Sequence, residues 1–144
     1  MKLMIENEQA MRDWGRTFGT SLFGGEVIEL VGDVGAGKTT LTKGIAEGMG
    51  ALDVVQSPSF MISSVYDTTG SLRLAHYDFY RLSDAGIMNE ELREVVRDSS
   101  MVTIVEWADV VSGVLPKNRT TIHIRFIDET ARELQVEKNS VVSE

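Results

Sequence analysis

The sequence predicts an α/β fold in three layers, a mixed, mostly parallel central sheet between helices, with antiparallel strands towards the C-terminus. Three observations predict it. Glu26-Val27-Ile28-Glu29-Leu30-Val31 is mostly apolar and β-branched, as buried strands are, and it runs straight into a glycine-rich turn followed by a helical pattern. Met101-Val102-Thr103-Ile104-Val105-Glu106 is a second mostly apolar run, ending in an acid. Thr121 to Phe126 and Glu133 to Glu137 alternate polar with apolar residues, the pattern of half-exposed antiparallel strands rather than buried parallel ones.

The remaining elements follow in chain order. Met11, Trp14, Phe18 and Leu22 recur at spacings of three and four, which places them on one face of an amphipathic helix from about Asn7 to Leu22. Gly15 and Gly19 weigh against that helix, since each costs about 1 kcal/mol relative to Ala in a helix interior. Leu41, Ile45 and Met49 mark one face of a second helix from Lys38 to Met49, ended by Gly48 and Gly50. Phe60 to Tyr66 and Leu72 to Asp78 read as strands joined through the polar stretch Asp67-Thr68-Thr69-Gly70, and a helix follows from about Asp84 to Arg97.

The composition narrows the function. The 144 residues are 42% apolar and 25% charged, with 13 Gly, two Pro and no Cys, so the expectation is one domain, 1–144, with a single core and no need of disulfides or a structural metal. Absence of Cys excludes thiol catalysis and Cys-based zinc sites, and two His cannot form a His-rich metal cluster. A formal net charge of -8 argues against wrapping a nucleic-acid backbone by broad electrostatics, while leaving room for a local anion site. Acids among the first residues and the lack of any apolar run near ~18 residues predict a cytoplasmic chain with no membrane segment.

That anion site is written at residues 32–39. Gly32-Asp33-Val34-Gly35-Ala36-Gly37-Lys38-Thr39 satisfies G-x-x-x-x-G-K-[ST], between a buried strand and a helix, which is the context that makes the pattern a P-loop. Glycines let the backbone of residues 33–37 curl so that its N–H groups converge on phosphate, and the following helix adds its unpaired N–H groups and the positive end of its dipole. Lys38 supplies a charge for the β and γ phosphates, Thr39 a hydroxyl for Mg²⁺, and Thr40 lies near enough for the α phosphate. The domain is therefore expected to be P-loop NTPase-like and to bind ATP and Mg²⁺.

Such an enzyme also needs an acid on a neighbouring strand for the metal and a group to orient the attacking water. Two strands end in acids, Asp78 and Glu106, and the pattern alone lets either take the metal-linked position or serve as a helix cap or surface acid. Ser57-Pro58-Ser59-Phe60 lies where NTPases often keep a γ-phosphate-sensing segment, although spacing alone favours an ordinary β-turn. By residue type, Trp107 reads as a core residue, and His76 as a structural histidine rather than a catalytic base.

The P-loop with Thr40, then Ser57-Pro58-Ser59-Phe60, then His76-Tyr77-Asp78-Phe79-Tyr80-Arg81, then Glu106-Trp107, resemble in order and spacing the bacterial TsaE ATPases. The similarity runs from about Asn7 to Phe126, and the His-x-Asp-x-Tyr-Arg block with the Glu-Trp pair is specific to that family. The resemblance implies a small ATPase needed to form threonylcarbamoyladenosine in tRNA, binding the TsaD and TsaB partners that perform the transfer, sustaining their turnover and meeting tRNA only through them. It implies that Lys38 and the loop backbone hold phosphates and that Thr39 ligates Mg²⁺. It further makes Ser59 a switch hydroxyl at the metal, Asp78 and Glu106 the acids at metal and water, and Trp107 a neighbour of the nucleotide. Two positions depart from the family pattern: Ser59 replaces the usual Thr, and Ala108 stands where Pro commonly follows Glu-Trp. The segment after Asp128 matches poorly, and Arg132 is there a loose candidate for an arginine near the adenine.

Three other readings compete. A stand-alone small-molecule or nucleotide kinase shares the P-loop but needs a lid carrying several Arg; no such insertion is present, although Arg93 and Arg97 flank a helix. A GTPase needs a Lys-x-Asp element to read guanine, and none of the five Lys begins one. A non-catalytic module in which ATP stabilises a partner-binding conformation differs from a partner-stimulated ATPase only in its rates with and without partner.

Overall fold

The structure is a computed structural model that describes residues 1–33, 35–55, 63–80, 86 and 88–138. Its elements in chain order are β1 (Lys2–Ile5), α1 (Glu8–Thr20), β2 (Val27–Val31), α2 (Lys38–Met49), β3 (Ser63–Asp67), β4 (Arg73–Asp78), α3 (Met88–Val95), β5 (Met101–Glu106), a 3₁₀ turn (Ala108–Val111), β6 (Thr120–Phe126) and β7 (Arg132–Lys138). The strands form one sheet in the order β1-β7-β6-β2-β5-β4-β3. Pairs β2/β5, β2/β6 and β4/β5 are parallel, while β1/β7, β6/β7 and β3/β4 are antiparallel. Only β3 and β7 therefore run against the common direction, the mixed, mostly parallel sheet that the patterning predicts.

Alternation along the strands divides the interior in two. One face of the sheet gives Ile28, Leu30, Leu74, Val102, Ile104, Ile122 and Ile124 to a core shared with Met11, Leu41 and Ile45 of the helices α1 and α2. From the other face, Val27, Ala75, Tyr77, Met101 and Val105 pack with Leu92 of α3 and with Ala108 and Val111 of the 3₁₀ turn. These are the expected three layers. β6 differs from the expectation in one respect, pairing antiparallel with β7 on one side and parallel with β2 on the other. Its alternating pattern arises because only one of its faces is covered: Ile122 and Ile124 are buried, His123 and Arg125 are not.

Local chemistry sets the helix ends. Asn7 caps α1, its Oδ1 accepting from Ala10 N at 2.8 Å, and Gly50 closes α2 in the left-handed conformation, φ 82°. Gly48, expected to help end α2, lies inside it. Its reason for being glycine is the neighbouring helix: a Cβ there would fall 2.1 Å from Arg16 O, one on Gly44 2.3 Å from Arg12 O, and one on Gly19 2.3 Å from Ile45 O. The glycines that weakened α1 as an isolated helix let α1 and α2 touch backbone to backbone. Glu47 fastens the same seam, receiving Arg12 Nε and, at 2.9 Å, Arg16 Nη2.

β1 and the 3₁₀ turn carry too few residues for periodicity to reveal them, and neither was expected. Expectations placed on 60–62, on Asp84 and on Arg81 lie outside the described residues, as do Val34 and Ser59.

Candidate functional site

Parallel strands β2, β4 and β5 end together at one edge of the sheet, where ligands of open α/β folds are held. Beyond Val31 the chain turns through Gly35 (φ 82°) and Gly37 (φ 111°), conformations that a side chain resists, and enters α2. Gly37 is the N-cap of α2 and no side chain caps it, so the first-turn N–H groups face the loop without a side-chain acceptor. Ala36 N closes the turn by donating to Asp33 O at 3.0 Å.

Lys38 is 7% exposed and folds back over its own loop, Nζ donating to Gly32 O and, at 3.0 Å, to Asp33 O. The ammonium also lies 4.7 Å from the centre of the Trp107 ring. Burial pulls its pKa below the ordinary lysine value, against the opposing fields of Glu106, Asp78, Asp33 and Tyr80. This amine is held ready beside the site and is only partly solvated.

The acids come from adjacent strands in register: Asp78 of β4 is the Cα partner of Glu106 of β5, which in turn stands beside Leu30 of β2. Glu106 is 4% exposed, and its Oε2 lies 2.5 Å from Nε2 of the fully buried His76. Asp78 is half-buried and accepts from Tyr80 N at 2.9 Å. Burial is the main cause that raises its pKa above the usual carboxylate range; Glu106 adds to the rise, and the Tyr80 N–H, His76 and Lys38 act against it.

Trp107 follows in the left-handed region, φ 55°, which is a real constraint on a bulky residue. The twist carries its ring under Lys38 and against Tyr80, centroids 4.9 Å apart. The ring packs on the second core, as its residue type predicts, and also lies beside the Lys38 ammonium. Thr40 Oγ1 meets Glu8 Oε1 at 3.4 Å, while Arg132, remote in sequence, donates from Nε to Ala36 O at 3.1 Å and covers the Phe126 ring at 4.1 Å. Alongside the loop runs an open cleft of about 410 Å³ bounded by Val31, Asp33, Arg125 and Phe126.

The family model for the threonylcarbamoyl adenosine biosynthesis protein TsaE matches residues 5–134. The chain belongs to the TsaE family. It is 39% identical over 127 residues to the tRNA threonylcarbamoyladenosine biosynthesis protein TsaE of Streptomyces coelicolor, covering 87% of this chain and 86% of that protein. To the protein of the same name from Treponema pallidum it is 34% identical over 137 residues, 94% of this chain and 99% of that one. Among solved structures, the crystal structure of YdiB from Bacillus subtilis superposes with a TM-score of 0.75 at 31% identity, over 97% of this chain and 86% of that chain.

A TsaE-family chain with this fold and loop is a nucleotide-binding protein of the P-loop kind. Of the residues that the sequence nominated, the structure gathers Asp33, Gly35, Ala36, Gly37, Lys38, Asp78, Glu106 and Trp107 at one edge, with Thr39 and Thr40 in the first turn of α2. Three residues that touch these elements were missed or weakly read. Glu8 reaches Thr40 in the first turn of α2, and Arg132 reaches Ala36 of the loop, only through tertiary contacts, and His76 carries its signal in the His-x-Asp spacing, which puts both side chains on one face of β4. Among the described residues no three His, Asp or Glu side chains form a metal cage. Among the described residues no helix is long and apolar enough to cross a membrane.

Proposed function

We propose that the chain is a Mg²⁺-dependent ATPase of the machinery that forms threonylcarbamoyladenosine in tRNA. It is weak alone and is stimulated by TsaD and TsaB, whose turnover its hydrolysis sustains. In this reading residues 1–144 form one cytoplasmic domain that meets tRNA only through those partners. The observation that carries it is the convergence of Lys38, Asp78 and Glu106 on a glycine turn opening an uncapped helix.

Phosphates of ATP occupy the curl of residues 33–37 and the first turn of α2, whose N–H groups donate to them. Lys38 exchanges two backbone carbonyls for phosphate oxygens, so its charge is spent on the ligand rather than on the loop. The donors of Thr39, Asp78, Glu106 and Ser59 are all hard oxygens and suit Mg²⁺, which prefers one or two carboxylates and retained waters to a full protein cage. Held there, Mg²⁺ would supply charge neutralisation to the phosphates. Glu106 accepts a proton from the water whose oxygen bonds the γ phosphorus, while the bond from that phosphorus to the bridging oxygen breaks and ADP leaves. Trp107 shields the reacting end from solvent. Arg93 and Arg97 belong to the layer of α3, on the sheet face away from α2, which favours an ATPase over a kinase with an arginine lid.

The test is ATP binding and hydrolysis by the full chain, alone and with TsaB and TsaD. Lys38→Ala is expected to weaken ATP binding about tenfold or more. Asp78→Ala and Glu106→Ala are expected to bind ATP and to hydrolyse it about 10²- to 10⁴-fold more slowly. Wild-type rates in both acid variants, with the partner pair present, overturn the assignment. Tight, salt-sensitive tRNA binding by the isolated chain overturns the indirect route to tRNA.

A further inference from the structure

We propose that His76 is a positioning residue: its Nε2–H holds the Glu106 carboxylate in the one orientation that points the second carboxylate oxygen at the reacting water. The inference rests on the ATPase reading above and deepens it. In the parallel pairing of β4 with β5, His76 stands opposite Ile104 and Asp78 opposite Glu106, so the imidazole reaches Glu106 diagonally, from two register positions back along the strand. Nε2 and Oε2 are 2.5 Å apart, with 0% and 5% of the two side chains exposed. Among the described residues this is the hydrogen bond on the Glu106 side chain, and it constrains the plane of the carboxylate.

The ring's own environment assigns the proton. Nδ1 is buried and without a hydrogen-bond partner, which suits a bare acceptor nitrogen and not a buried N–H. The hydrogen therefore sits on Nε2 and is donated to Glu106, leaving Oε1 as the basic atom. A carboxylate on a rotatable stem loses reach when its partner goes, and removing such supporting partners commonly costs about 10- to 100-fold in activity. A histidine that merely filled space would have no need to aim a ring nitrogen at the acid.

Four full-length proteins test this with TsaB and TsaD present: wild type, Glu106→Gln, His76→Leu and His76→Gln. Leu removes the donor, whereas Gln restores an amide N–H at a similar reach. His76→Leu is expected to lower kcat about 10- to 100-fold. Its ATP Kd should stay within about twofold of wild type. His76→Gln should recover most of the loss. Wild-type kcat in His76→Leu, or equal losses in the Leu and Gln variants with both folded by circular dichroism, overturns the inference. A wild-type rate in Glu106→Gln instead overturns the ATPase reading and this inference with it. A second readout needs no turnover. With only two His in the chain, nitrogen-15 imidazole spectra of the nucleotide-free protein, assigned through His123→Gln, should show His76 protonated at Nε2 and bare at Nδ1. The opposite tautomer overturns the inference.

Discussion

Replacing Gly44 by Ala measures how much of this fold depends on two helix backbones meeting. Two effects of opposite sign compete. Helix propensity favours Ala over Gly by about 1 kcal/mol at an interior position such as this one. Against it, the new Cβ would lie 2.3 Å from Arg12 O, where an ordinary contact needs about 3.4 Å, and the obstacle is α1 backbone rather than a flexible side-chain end. To accept the methyl, α1 and α2 must part by about 1 Å, a gap that forfeits a quarter to a half of the dispersion well for atoms along the seam. Overpacking of this kind costs up to about 3 kcal/mol. The net expectation is a loss of about 2 kcal/mol, which lowers Tm by roughly 4 to 8 °C in a chain of this size. Thermal and urea unfolding followed by circular dichroism measure it, with Gly70→Ala and Gly113→Ala as controls because a Cβ at either site meets nothing within 4 Å. Those two should stay within about 0.5 kcal/mol of wild type. A Gly44→Ala protein as stable as wild type, or more stable, would show propensity outweighing the close approach and would refute the packing account.

Asp78→Asn tests the burial of the site acid. Because burial raises the Asp78 pKa, the folded chain holds that proton more tightly than the unfolded chain does, and stability falls as pH rises from the unfolded value of about 3.9 through the raised folded one. The penalty is complete above the raised folded value, so the nucleotide-free Asn variant should melt above wild type there, with the difference closing as pH falls towards about 4; a difference independent of pH contradicts the assignment. Lys38 over Trp107 gives an optical test. In a Trp14→Phe background Trp107 is the sole tryptophan, and ATP should change the tryptophan fluorescence as the ammonium leaves the ring for phosphate; an unchanged spectrum at saturating ATP counts against that movement.

The site was legible in the sequence to the extent that its parts are local. Residues 32–39 carry their own instructions, because the glycine conformations, the helix start and the Lys38 and Thr39 positions all follow from consecutive residues. Asp78 and Glu106 were legible one at a time, each as the last residue of an apolar run. Which face of the strand they share, and with whom, was not: Asp78 meets Glu106 only because β4 lies next to β5 in a register that aligns them. His76 shows the same limit. A histidine in a strand reads as structural until the neighbouring strand sets an acid 2.5 Å from its ring. Gly15 and Gly19 read as helix weaknesses, and Gly48 as a helix end, until both helices are present, because the backbone that needs their missing side chains belongs to the other helix.

By itself, then, the sequence determined the strand, turn and helix of the phosphate loop, the α/β class and the acidic character of the chain, all set by neighbours within a few residues or by composition. Tertiary structure alone decided the strand order, the pairing of Asp78, Glu106 and His76, the seating of Lys38 over Trp107, and the return of Arg132 to the loop from 96 residues away. The physical reason is range: backbone conformation answers to adjacent side chains, whereas the field and geometry of a site answer to groups that only the closed sheet brings within hydrogen-bond distance.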